Sequence, residues 1–193
     1  MTHSKLHKIA PAVALALVAL ASCGSNNHAN NQVEGGNAVE NATLSKLQLT
    51  SDAFQHGQAI PVQYTCDGAD ETLTLQWGDP PPGTKSFALV IDDPDAPSGI
   101  FRHWGVYDIP ASARSIGGGQ HIGTEVSNDF GKPGYGGPCP PKGHGAHHYH
   151  FKLFALDVER LDVGSNAKVA DVESAVAKHA IAQGELIGTY ERK

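Results

Sequence analysis

From His148 to Val158 the chain reads HYHFKLFALDV, and polar and apolar side chains alternate there with a period of two. An extended strand turns successive side chains to opposite faces, so this run defines a buried row and an outward row of one strand. His147 and Tyr149 then share one face, and His148 and His150 share the other. A second run, KSFALVIDD from Lys85, is long and apolar enough for a central strand.

Weaker strand patterns fill most of the remaining sequence. SKLQLTS from Ser45 puts Leu47 and Leu49 on one face; AIPVQYTC from Ala59, TLTLQW from Thr72 and the closing ELIGTYER from Glu185 follow with turn residues between them. In RHWGVYDIP, alternation sets Trp104, Val106 and Asp108 on one face and His103, Gly105 and Tyr107 on the other. One helix is expected, in ADVESAVAKHAIAQ from Ala170. Val172, Ala175, Val176 and His179 form its stripe, acids lead its first turn, and Gly184 stands where a C-terminal cap belongs. The expectation is a mainly β domain with one C-terminal helix and long Gly/Pro loops.

The N-terminus speaks to location. Lys5 and Lys8 precede the apolar run IAPAVALALVAL, and LASC follows, with Cys23 at its end. The run falls short of the ~20 residues that span a bilayer and has the order of a secretory signal. LASC resembles a bacterial lipobox, which implies cleavage before Cys23 and lipidation of that cysteine. Residues 1–22 are thus read as a lipoprotein signal peptide. Residues 23–43, rich in Asn and Gly with few large apolar side chains, are read as a flexible tether. Residues 44–193 remain as the folded domain, of ordinary single-domain size. The expected location is the extracytoplasmic side of a bacterial membrane, held by the lipid anchor. Loss of Lys5 and Lys8 takes the formal charge from −6 to −8, which argues against a nucleic-acid partner.

Two segments concentrate the chemistry. DDPDAPSGIFRHW, from Asp92 to Trp104, ends a strand in three carboxylates spaced by prolines and leads to His103. GYGGPCPPKGHGAHHYH, from Gly134 to His150, joins turn residues to a run of histidines. A metal reading of His144, His147, His148 and His150 is disfavoured, because His147 faces away from His148 and His150 on a strand. Cys139 near histidines raises a Cys–His hydrolase as an alternative. In an oxidising compartment Cys66 and Cys139 could instead pair as a disulfide, and the sequence leaves both open.

Together these blocks resemble the phosphatidylethanolamine-binding protein (PEBP) family, in its bacterial Raf-kinase-inhibitor-like branch. DPDAPS with the downstream HW, and GYGGPCPPKG with HxYxFxLFAL, carry the likeness, and YTCDG, NDFGKPGYGG and ELIGTY extend it across the mature domain. The resemblance implies a β-sandwich of two sheets with a small anion pocket at one end. It puts Asp93, Asp95 and His103 on one wall and Cys139, Pro140, Pro141, His147 and Tyr149 on the other, with Tyr190 closing the site. It also implies a binding module, not an enzyme. No cofactor or metal is expected; the ligand would be a phosphorylated small molecule or a phospholipid headgroup. The alternative is an inhibitor of a protease or kinase that docks a protein target through the pocket rim. The chain departs from the family pattern at His148, where an arginine is usual, and in DGADETLTLQW.

Carboxylates next to an anion need an indirect role. Two unit charges ~4 Å apart interact by about 4 kcal/mol at an effective dielectric of 20. The expected device is a carboxylate that accepts the Nδ1 proton of a histidine, raises its pKa and leaves Nε2–H aimed at the ligand. Backbone N–H groups of the Gly/Pro loop and the Tyr149 hydroxyl would add donors.

Overall fold

A computed structural model describes residues 44–193, so Cys23 and the segments read as a signal peptide and a tether lie outside the described residues. Nine strands and one helix follow in order: β1 Ser45–Lys46, β2 Leu49–Ser51, β3 Leu75–Trp77, β4 Ser86–Asp93, β5 Phe101–Pro110, β6 Ser115–Ile116, β7 Thr124–Glu125, β8 His147–Leu156, α1 Val169–Val176 and β9 Ala180–Tyr190. They build a six-stranded sheet in the order β1-β9-β8-β4-β5-β7 and a three-stranded sheet in the order β2-β3-β6.

Alternation on β4 and β8 decides what lies between the sheets. Phe87, Leu89 and Ile91 of β4 and Tyr149, Phe151 and Leu153 of β8 pack with Leu49, Leu75, Trp77 and Ile116 of the smaller sheet. The intervening residues, Ala88 and Val90, face the other way and are covered by Val169, Val172 and Val176 of α1. With both faces covered, all eight residues of β4 are buried, which is why its sequence reads as an unbroken apolar run. Asp93 ends one inner row and His147 begins another, so one end of the core carries their side chains.

Four sequence expectations change. The segment from Ala59 to Cys66 is not a strand: Val62–Tyr64 form a short 3-10 helix, and only Ala59 bridges, to Thr189. Pro61 has no N–H to give to a sheet, which favours that outcome. SKLQLTS is divided between the two sheets, as β1 beside β9 and β2 beside β3. The helix stops at Val176, and Ala180–Gln183 begin β9 instead, pairing with β8 from Leu156. Helical periodicity is a weak prior, and here sheet pairing overrides it. Gly184 is therefore no helix cap. A Cβ there would lie 2.8 Å from the Leu47 carbonyl oxygen, so glycine lets the chain at Leu47 pass close against β9.

The fourth change bears on the site. Along the β4–β5 ladder Ile91 pairs with Trp104 but Asp92 pairs with Arg102, so His103 is the extra residue of a bulge. A bulge re-aims its side chains. His103 consequently packs its ring against Tyr149 of the inner row, with centroids 5.2 Å apart, and not on the face opposite Trp104 as strict alternation requires.

Candidate functional site

A cavity of about 240 Å³ opens at this end of the sandwich, lined by Asp93, His103 and His147, by Cys139, Pro140 and Pro141, and by Ala96–Ser98, Phe101 and Phe130. Asp93, His103 and His147 are each at most 3 % exposed as whole residues. Phe130 is exposed and makes the lip apolar, and Ile100, next in the chain to Phe101, is exposed as well.

Asp93 is held by two contacts. Its Oδ1 accepts the backbone N–H of Asp95 at 2.9 Å, a local turn bond favoured after a strand end, and its Oδ2 accepts Nδ1–H of His147 at 2.7 Å. The Nδ1 half of the carboxylate–histidine device expected from the sequence is formed by Asp93 and His147, but Nε2 of His147 lies 2.9 Å from Nδ1 of His144 and is not left open toward the cavity.

His103 is different. Its Nδ1–H donates to the Gly136 carbonyl at 2.7 Å, so no carboxylate holds its ring. Burial pushes its pKa below the ordinary imidazole value, and the Gly136 carbonyl offsets this only in part. The expected raised pKa therefore does not hold for His103. A neutral ring with its proton on Nδ1 offers the cavity an acceptor at Nε2, not a donor.

Several predicted site residues are placed elsewhere. Asp95 is off the cavity: its Oδ2 accepts the backbone N–H of His148 at 2.9 Å and Nδ1–H of His148 at 2.7 Å on the outer face. The His148 ring and then its N–H hold the Asp95 carboxyl below the ordinary carboxylate range. Here the departure from the family's arginine finds its partner. Tyr190 does not close the pocket, because its hydroxyl donates to Asp67 at 2.9 Å, beside the Arg192–Asp67 pair. Tyr149 lies beneath the cavity, fully buried, and its hydroxyl has no hydrogen-bond partner among the described residues. Burial, then the nearby Asp93, raises its pKa, so the phenol stays protonated, but it is sealed from a ligand. The Gly/Pro loop also has fewer donors than expected. The Gly136 N–H donates to the His103 carbonyl at 3.1 Å, and the Gly137 N–H to Asp70 at 2.7 Å.

Cys66 and Cys139 are joined by a disulfide, with Cα atoms 5.4 Å apart. The bond ties the exposed Cys66 turn to the cavity wall and occupies the thiol that a Cys–His hydrolase would need. No group of three or more His, Cys, Asp or Glu side chains among the described residues is arranged to hold a metal ion.

Asn128 is a site residue that patterning missed. Its Nδ2 donates to the carbonyls of His103 at 3.2 Å and Gly134 at 2.9 Å, while its Oδ1 accepts from the N–H of Phe130 at 3.0 Å. One buried amide thus fixes His103, the lip residue Phe130 and the Gly/Pro loop together. The only signal was its place in NDFGKPGYGG, which names no role.

A two-sheet sandwich with a small, largely apolar end cavity defines a ligand-binding β domain. Comparison with known proteins makes this specific: residues 50–191 match the family model described as phosphatidylethanolamine-binding protein, and the chain belongs to that family. The UPF0098 protein of Aquifex aeolicus is 49 % identical over 152 residues, covering 76 % of this chain and 89 % of that protein. LppC of Mycobacterium tuberculosis, named as a candidate lipoprotein, is 38 % identical over 200 residues, covering 97 % of this chain and 98 % of LppC. Among solved structures, YbcL of Escherichia coli superposes with a TM-score of 0.71 at 35 % identity, covering 76 % of this chain and 99 % of YbcL.

Proposed function

We propose that this chain is an envelope-anchored binding protein whose cavity takes the headgroup of a phosphorylated small molecule or phospholipid. The observation that carries this reading is the buried Asp93–His147 pair at the base of a cavity of about 240 Å³ with an apolar lip. The volume suits a headgroup and not the acyl chains behind it.

Among the described residues the lining contains no Lys or Arg, so positive charge there comes from an imidazole. His103 is held neutral, which leaves His147, whose imidazolium Asp93 balances. Paired in this way the site is close to neutral overall, and a zwitterionic or singly charged head suits it better than a free phosphate dianion. A phosphate oxygen would meet His147, and an ammonium or hydroxyl donor would meet Nε2 of His103. Phe101 and Phe130, with centroids 4.8 Å apart, would cover the uncharged part of the ligand.

Thermal shift with glycerophosphoethanolamine, glycerol phosphate and inorganic phosphate tests this reading. The expected order of stabilisation puts the zwitterion first, with the effect lost in His103→Ala and His147→Ala. Equal shifts in wild type and both variants, or none with any of the three, would sink it. Anchoring through Cys23 draws support from the lipobox and from the name of LppC. Labelling with an alkyne palmitate analogue should be lost in Cys23→Ala. A second reading, an inhibitor that docks a protein through the rim, is favoured by the exposed Ile100 and Phe130.

A further inference from the structure

Both ring nitrogens of His147 are occupied. Nδ1 meets Asp93 at 2.7 Å, and Nε2 lies 2.9 Å from Nδ1 of His144. Two imidazoles sharing such a contact have one proton between them: neutral His147 accepts from His144, or the His147 imidazolium donates to it. In neither arrangement does His147 keep an N–H for a ligand. The nitrogen that the headgroup needs already has a partner within the chain.

His144 has the features of a removable partner. His147 is 2 % exposed, whereas His144 sits in an exposed turn. Gly143 and Gly145 flank it with φ of 73° and 89°, in the left-handed region. A Cβ on either would meet nothing within 4 Å, so glycine serves the backbone conformation there and not close packing. The turn itself is pinned, with the Gly143 N–H on the Arg192 carbonyl at 2.9 Å and the His144 N–H on the Pro141 carbonyl at 3.2 Å. The ring can therefore leave by rotation about its own side-chain bonds while the loop stays in place.

We propose that His144 is a built-in competitor, which occupies the ligand-facing nitrogen of His147 until an anionic oxygen displaces it. The inference rests on the headgroup reading above. It adds a specificity rule, because a hydrogen bond to an ionised oxygen is about twice as strong as one between neutral groups such as the two imidazoles. Phosphate-type oxygens displace His144, and neutral hydroxyls or amides do not.

The test uses the full chain as wild type, His144→Ala and His144→Asn, since an asparagine amide nitrogen lies near the position of histidine Nδ1. In the first arm, without ligand, the rate at which diethyl pyrocarbonate modifies His147 is followed by peptide mass spectrometry. Modification should be slow in wild type, about fivefold faster in His144→Ala as one hydrogen bond is lost, and slow again in His144→Asn. In the second arm, calorimetry with inorganic phosphate should show about fivefold tighter binding in His144→Ala and wild-type affinity in His144→Asn. Equal His147 rates in all three proteins, with phosphate binding intact, overturn the competitor alone. Weaker phosphate binding in His144→Ala also overturns it, by making His144 a ligand contact. Absence of binding of both inorganic phosphate and glycerophosphoethanolamine in every protein defeats the headgroup reading, and the competitor role falls with it.

Discussion

The two buried imidazoles of the cavity differ in one partner. His103 is 3 % exposed and His147 2 %, yet Nδ1 of His103 meets a carbonyl and Nδ1 of His147 meets a carboxylate. A carbonyl supplies only a dipole, so burial decides for His103 and keeps it neutral. A carboxylate supplies the full charge that an imidazolium needs. One wall of the cavity is therefore an ion-pair wall built on β4 and β8. The other is a neutral wall, built on a β5 bulge and the loop that Asn128 organises.

The largest expected effect is on the disulfide that reinforces the loop behind both walls. Cys66 and Cys139 are 73 residues apart, and closing a loop of that size restricts the unfolded chain by about 4 kcal/mol. The double variant Cys66→Ser/Cys139→Ser should lose about that much in urea unfolding. A loss below about 1 kcal/mol would show that the loop's hydrogen bonds, such as Tyr135 hydroxyl to the Tyr64 carbonyl, hold it without the cross-link.

The ion-pair wall should be next. Asp93→Ala leaves the buried Nδ1–H of His147 without its carboxylate acceptor and should cost about 3 kcal/mol, read as a lower urea midpoint. On the neutral wall, Asn128→Ala frees buried carbonyls and amides and should cost about 2 kcal/mol. If Asn128→Ala costs more than Asp93→Ala, the ranking of the two walls is wrong.

A pH series separates the walls further. The folded-state pKa of His103 lies below the unfolded value, so under about pH 6.5 the unfolded chain takes up a proton that the folded domain refuses. Stability should fall as pH drops below that value, until the depressed folded pKa is reached, and His103 should contribute no slope above it. Urea midpoints from pH 5 to 7.5 should show a shallower acid decline in His103→Phe than in wild type. Identical slopes would place His103 on the charged side of the comparison. The smallest effect belongs to the outer face of β8. The Asp95–His148 pair is 44 % and 54 % exposed, so solvent screening limits Asp95→Asn to about 0.5 kcal/mol despite the lowered Asp95 pKa. A loss comparable to that of Asp93→Ala would erase the distinction between inward and outward carboxylates.

The β8 side of the ion-pair wall was legible in the sequence, because period-two alternation is a local property of an extended chain, but its pairing with Asp93, which the resemblance set on the opposite wall, was not. HYHFKLFALDV gave the inward face of Tyr149 and the outward face of His148 and His150, and extending the alternation by one residue turned His147 inward. The neutral wall was not legible. The bulge that turns His103 inward exists only in the pairing of β5 with β4, and Asn128 acts through partners on both sides of its own loop. The missed elements follow the same division. Ala180–Gln183 carry a helical pattern but are claimed by β8, and Tyr190 has no local signal for its bond to Asp67, 123 residues away.

The sequence by itself determined the strand-rich class, the family likeness, and which residues of β8 face the core. These rest on short-range periodicity and long, specific motifs. Only the tertiary structure decided that Asp95 turns outward to His148, that His103 rests on a carbonyl, and that His144 covers the free nitrogen of His147. Each of these is a choice among nearby partners of similar chemistry, made by strand register, a bulge and a glycine-flanked turn, and such a choice has no repeat in the sequence from which to read it.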